Sequence, residues 1–328
     1  MRYNPEQMYT KERDKMIIST GIRTDIINHY SDWLFERFRE GFVYTRNPLF
    51  PNRVNSYLLQ PDKVDAVLFC SKNYAPALSR LSTITSRYRT FFHYTITAYE
   101  SDIEPNIPEH KDRIRTLCEL EKIVGKEKIV WRFEPVFFTN DYPCERVLET
   151  FDRLAEQIAP HVSGCVFGFV EAFFNLRTRF PEICPLDNEQ KREFARRLAP
   201  IAQKYSLPLQ TCGSRDTYEE FGIARQGCYT LDAIGAANRC AFRNIRHTGN
   251  RRGCLCIASR DLGWYDSCPN FCRYCNANHS VAEVKENVRR HDPHSPLLIG
   301  GLTADDELTE GVQTSYLRDE RQLSLFDL

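Results

Sequence analysis

"IVWRFEPVFFTNDYPCERVLETFDRLAEQIAPHVSGCVFGFVE" occupies residues 129–171. It opens on an apolar, β-branched and aromatic run, 129–138, and closes on another, 164–171. Between them Val147, Leu148, Phe151, Leu154 and Ile158 recur at the spacing of a single helix face. Parallel strands cannot be joined by a tight turn, so strand–helix–strand is the repeating unit of a parallel sheet. Continuously apolar strands suit a sheet covered on both faces.

The same alternation extends outward in both directions. Strand-like runs stand at 16–21, 65–71, 91–97 and 207–213, and helical stripes at 26–40, 110–124 and 189–205. The pattern predicts an α/β fold: a parallel (βα) full or partial barrel of about six strands over 16–213. Residues 1–15 read as an N-terminal extension and 214–302 as a cysteine-rich iron–sulfur segment packing on the barrel. Residues 303–328 read as a flexible tail. Polar residues gather where the strands end: Thr20, Arg23 and Asp25; Ser71, Lys72 and Asn73; Thr95 and Thr97; Arg132 and Glu134; Glu171; Cys212. Loops are polar in most proteins. Their convergence on one end of the sheet nevertheless predicts a substrate pocket, with Arg23, Asp25, Lys72, Arg132 and Glu134 as the catalytic candidates.

Lysines and arginines number 44, as do aspartates and glutamates, so no global charge draws the chain to nucleic acid or to a membrane. The N-terminus has no apolar core of a signal peptide. No apolar run reaches the roughly 18 residues of a spanning helix. A soluble, cytoplasmic protein is expected, and with it reduced thiols. The 13 cysteines are therefore read as buried small hydrophobes or as ligands rather than as a disulfide scaffold. Cys70, Cys118, Cys144, Cys165 and Cys184 are scattered and fit the first description, as does Cys240.

"SCPNFCRYCNAN" (267–278) fits the second. It sets Cys268, Cys272 and Cys275 at C-x3-C-x2-C with Tyr274 before the last. Zinc sites are more often paired C-x2-C knuckles, although a structural zinc site stays open as an alternative. Three thiolates on one loop suit three corners of a [4Fe–4S] cubane, leaving one iron for another ligand. The spacing resembles that of the radical S-adenosylmethionine (radical SAM) enzymes. That resemblance implies that S-adenosyl-L-methionine binds the open iron and is split to a 5′-deoxyadenosyl radical. Those enzymes carry the loop after the first strand; here it follows the whole series. Either the barrel is circularly permuted or the loop belongs to a C-terminal appendage. Gly300 and Gly301 resemble the Gly-Gly-Glu element that holds the cofactor's amino group, without the Glu, and a plain Gly-Gly turn is the alternative. Cys212, Cys228, Cys254 and Cys256 could hold an auxiliary [4Fe–4S] cluster; separate structural thiols or a zinc ion are the other readings.

Seven stretches, "STGIRTDI", "RNP" (46–48), "KN" (72–73), "DIEPNIP" (102–108), "WRFEPV" (131–136), "GCLC" (253–256) and "SCPNFCRYCNAN", resemble the bacterial "domain of unknown function 1848" proteins over residues 16–328. The resemblance implies a C-terminal cysteine cluster like that of radical SAM proteins. It implies no substrate.

Two features bear on partners. Residues 239–253 hold Arg239, Arg243, Arg246, Arg251 and Arg252 and no acid, which suits phosphate contact or simply a solvated face. Gln322, Leu323, Ser324, Leu325 and Phe326 resemble the pentapeptide by which bacterial DNA polymerases and repair proteins dock on the β sliding clamp. The alternative is a tail packed on its own domain. Together these features lead to a radical SAM-type iron–sulfur enzyme acting in DNA repair or modification. A non-enzymatic Fe–S or zinc DNA-associated protein, and a radical SAM enzyme acting on a small molecule, are the competing expectations.

Overall fold

The computed structural model describes residues 16–170, 174–211, 217–243 and 254–318. Each of the six expected strands is present: β1 (Met16–Ser19), β4 (Val64–Ser71), β5 (Thr90–Thr95), β6 (Ile129–Val136), β7 (Cys165–Phe169) and β8 (Leu209–Thr211). Two strands of two residues each, β9 (Ala224–Arg225) and β10 (Arg260–Asp261), extend the sheet at its ends. The sheet thus has eight strands rather than about six, in the order β10-β1-β4-β5-β6-β7-β8-β9, and every neighbouring pair is parallel. Among the described residues β9 and β10 are not paired with each other, so hydrogen bonding leaves the sheet open.

Side chains alternate across each strand. Val67, Phe69, Phe92, Trp131 and Phe133 pack into the main core with the helices. Ile17, Ala66, Leu68 and Phe91 form a second cluster on the opposite face with Ile234 and Ile257. Cys70 shares its face of β4 with Leu68, His93 its face of β5 with Phe91, and Arg132 its face of β6 with Val130. The inner face is therefore apolar near the strand starts and polar toward their ends.

The helices are α1 (Ile26–His29), α2 (Ser31–Glu40), α3 (Ser82–Thr85), α4 (His110–Val124), α5 (Cys144–Ile158), α6 (Phe174–Arg179), α7 (Asn188–Lys204), α8 (Leu231–Asn238) and α9 (Val281–Arg290). The stripe expected as one helix over 26–40 breaks at Tyr30, whose φ of −134° is not helical.

A second sheet of three strands, β11-β3-β2, is built from β2 (Phe42–Arg46), β3 (Arg53–Leu58) and β11 (Glu307–Glu310). This corrects the expectation of a flexible tail from residue 303. β11 pairs in parallel with β3, Ser315 and Tyr316 bond the buried Asp65, and Leu317 bridges Phe242. The segment 214–302 likewise supplies two strands to the main sheet. Among the described residues no helix is long and apolar enough to cross a membrane.

Candidate functional site

β10 lies beside β1, and the residues after it carry Cys268, Cys272 and Cys275. α9 follows, so strand, cysteine loop and helix form a unit of the sheet itself rather than an appendage. In strand order the last unit stands before the first. This places the loop at the C-terminal ends of β10, β1 and β4, the end at which parallel sheets bind ligands.

Hydrogen bonds hold the loop there. Thr24, beyond β1, bonds Ser267 and donates to the Trp264 carbonyl at 2.6 Å. The Tyr30 hydroxyl donates to the Ser267 carbonyl. Asn270, 3% exposed, donates to Asp25 Oδ2 at 3.2 Å, and its own Oδ1 meets His29 Nε2 at 2.6 Å and accepts from Asn28 at 2.9 Å. Asp25 caps α1 through the Asn28 N–H and accepts the Lys72 N–H at 2.9 Å. One carboxylate thus joins the ends of β1 and β4 to the cysteine loop.

Lys72 Nζ donates to Glu104 Oε1 at 2.7 Å and lies 5.5 Å from the centre of the Tyr274 ring. Glu104, 1% exposed, also accepts from Thr97 at 2.7 Å and from the Tyr274 hydroxyl, and pairs with Arg113 at 3.5 Å. Burial alone would raise the Glu104 pKa, but the charges of Lys72 and Arg113 outweigh it, and the carboxyl sits below its ordinary value. A cavity of about 320 Å³ opens behind it, lined by Tyr99, Glu100, His110 and Arg113. Glu104 was not among the candidates; its one sequence trace is "DIEPNIP".

Burial pushes the Cys268 thiol up to about 12, with Asp25 and Cys275 adding to it. Cys272 is also held well above the ordinary thiol value, chiefly by burial, with the Lys72 charge opposing. Cys275 Sγ accepts the Ala277 N–H at 3.4 Å. Among the described residues no group of three or more His, Cys, Asp or Glu side chains is arranged to hold a single metal ion.

The other expected residues lie apart from this centre. Arg23 pairs with Asp261 on β10 at 3.2 Å and lies 5.2 Å from the Tyr265 ring centre. Arg132 pairs with Glu134 at 2.6 Å and meets His93 Nδ1 at 3.3 Å, while His93 stacks on Tyr229 at 4.1 Å. Gly300 and Gly301 are not brought to the cysteine loop: Gly300 contacts Arg290 and Ser295, and Gly301 accepts from Arg46. Their run lies between α9 and β11 of the small sheet.

Cys228, Cys254 and Cys256 do come together. The Cys228 N–H meets Cys256 Sγ at 3.2 Å and the Cys256 N–H meets Cys254 Sγ at 3.5 Å. Cys228 is disulfide-bonded, however, and so offers no thiolate. Cys212, the fourth cysteine of the expected auxiliary cluster, lies outside the described residues. Arg239 is exposed at the end of α8. Arg243 is committed to the Leu317 and Ser315 carbonyls at 3.2 Å each. Arg246, Arg251, Arg252, Glu171 and residues 322–326 lie outside the described residues.

A family model described as Domain of unknown function (DUF1848) matches residues 17–277. The chain belongs to the DUF1848 family. The region matched to DUF1848 takes in β1 through the cysteine loop and stops short of Gly300, Gly301 and β11. No curated protein matches the chain. One solved structure with some likeness is an HpcH/HpaI aldolase from Desulfitobacterium hafniense DCB-2. It is 8% identical, with a TM-score of 0.26, over 69% of this chain and 89% of the aldolase, too slight a likeness to inform fold or function.

Proposed function

We propose that this DUF1848 protein is a radical SAM-type iron–sulfur enzyme. Cys268, Cys272 and Cys275 would hold a [4Fe–4S] cluster whose open iron takes S-adenosyl-L-methionine. The observation that carries this reading is the placement of the cysteine loop: it follows β10 and lies over the ends of β1 and β4, where a substrate on the sheet would meet it. When bound, the cluster would supply the electron that splits the sulfonium to a 5′-deoxyadenosyl radical.

The donor set fits that group. A single ion needs donors converging on one point, whereas a cubane takes each thiolate at a separate corner. Lys72 sets a positive charge against Cys272, which offsets thiolate charge. An N–H donates to Cys275 Sγ, as outer partners of metal-bound sulfur do. Asp25, Asn270 and Glu104 fix the loop, and Tyr274 covers it from the side of Tyr99 and Phe137. Arg132 and Glu134 present a charged pair on the same face of the sheet for a polar substrate.

The reading extends to DNA repair or modification, with the β sliding clamp as the partner of residues 322–326. The tail sequence supports this. The basic stretch supports it less, since Arg243 is engaged within the fold. The test is anaerobic purification with iron, sulfide and zinc measured per chain, and electron paramagnetic resonance after reduction and again after adding S-adenosylmethionine. About four irons and a signal that changes with the cofactor are expected. Zinc without iron would replace this reading with that of a structural metal protein.

A further inference from the structure

At the opposite end of the sheet, three side chains unrelated to the cysteine loop form a relay. Cys118 and Glu121 stand on α4, and His161 ends the turn Ala159–His161 that leads into β7. Cys118 Sγ lies 3.5 Å from His161 Nε2, and His161 Nδ1 lies 2.6 Å from Glu121 Oε2. A carboxylate accepting the Nδ1 proton leaves the Nε2 lone pair facing the thiol, the nucleophile–base–orienter arrangement of activated cysteines. Solvent reaches the group: the side chains of His161 and Glu121 are 28% and 29% exposed, and Cys118 is half-buried rather than part of the core stripe.

Burial, with the Glu121 charge, holds the Cys118 thiol above its ordinary pKa, and Lys122 opposes this. A standing thiolate is therefore scarce, and the imidazole must take the proton as the sulfur attacks. A cavity of about 330 Å³ lies between α4 and α5, lined by Ile114, Leu154, Gln157, Lys111 and Arg153. Ile114 is one turn before Cys118 on α4, and Gln157 is four residues before His161. His110 and Glu156 complete the lining, so the groove carries charges of both signs one turn away from Cys118 rather than at it.

We propose that Cys118 is a site of reversible S-thiolation by low-molecular-weight disulfides. His161 takes the thiol proton, and the Cys118 sulfur attacks one sulfur of the disulfide R–S–S–R. The small S–S bond breaks, Cys118–S–S–R forms, and the departing thiolate takes the proton back from His161 and leaves as R–SH. This site is independent of the iron–sulfur reading and stands or falls without it.

The test is to expose the whole protein to oxidised glutathione and follow each cysteine by peptide mass spectrometry. The exposed Cys184 in the same chain is the reference. Cys118 should form the mixed disulfide at least about tenfold faster than Cys184 and release it to dithiothreitol. His161→Gln should remove most of that advantage, and Glu121→Gln part of it, with Cys184 unchanged. The proposal is overturned if Cys118 in the wild type reacts no faster than Cys184. It is equally overturned if His161→Gln leaves the Cys118 rate intact. Should a variant also change the Cys184 rate, and so report a disturbed fold, the wild-type ratio alone decides.

Discussion

Glu104 carries more of the site than any other single side chain. It accepts from Lys72, Thr97 and Tyr274 and pairs with Arg113, whose side chain is 2% exposed. Glu104→Gln would leave that buried arginine without its counter-charge, a change that costs about 3 kcal/mol in comparable sites. The dependence on pH follows from the direction of the shift. The folded-state pKa of Glu104 is lowered, so its contribution is complete above the ordinary glutamate value near ~4.3 and is lost as pH falls through the lower folded value. Urea unfolding of the wild type and Glu104→Gln should therefore show a gap that is constant from neutrality to about pH 5 and closes only in stronger acid. A gap that already fades between pH 7 and 5 would assign the effect to another group. Lys72 was legible because it follows β4 directly, and Asp25 because it comes six residues after β1 at the start of a helical stripe. Glu104 comes nine residues after the last residue of β5, and one sequence does not show that a loop acid is buried.

At the scale of elements, the cysteine loop depends on what lies around it. Arg179, at the end of α6, donates to the backbone carbonyls of Cys275 and Asn278, the former at 2.6 Å. Arg179→Ala should free residues 266–279 without opening the core. Hydrogen exchange there should rise severalfold, while the global unfolding free energy falls by less than about 2 kcal/mol. If exchange rises equally across β4 and β5, the loop and the sheet unfold together and the anchoring argument fails. The long elements were legible because burial on both faces writes itself as continuous apolar runs, as in "DAVLFCS". β9 and β10 were not, since two residues carry no period. β2 and β3 bury only Val43, Val54 and Tyr57, with Val54 and Tyr57 on opposite faces and so no alternation to read, and β3's other partner, β11, comes about 250 residues later in the chain, beyond the reach of any local pattern. The break at Tyr30 was hidden for a different reason: the apolar stripe runs on through it, while the Tyr30 hydroxyl is drawn to Ser267.

For the whole molecule, the question is whether the proposed cluster and the proposed clamp-binding tail act independently. The cysteine loop is built into the sheet through β10, and the chain is tied down as far as Leu317 by its bridge to Phe242. The pentapeptide 322–326 comes after the last of these contacts. Substituting Leu325→Ala with Phe326→Ala should then abolish retention on immobilised β sliding clamp and leave both iron content and the thermal midpoint where they were. Replacing Cys268, Cys272 and Cys275 together by alanine should do the reverse, removing iron while clamp retention persists. Co-sedimentation, iron assay and calorimetry on the same three preparations test both halves. If the tail substitutions lower the thermal midpoint, Leu325 and Phe326 are packing against their own domain. The polar chemistry at the strand ends would then have no link to DNA beyond Arg239 and the basic residues that follow it.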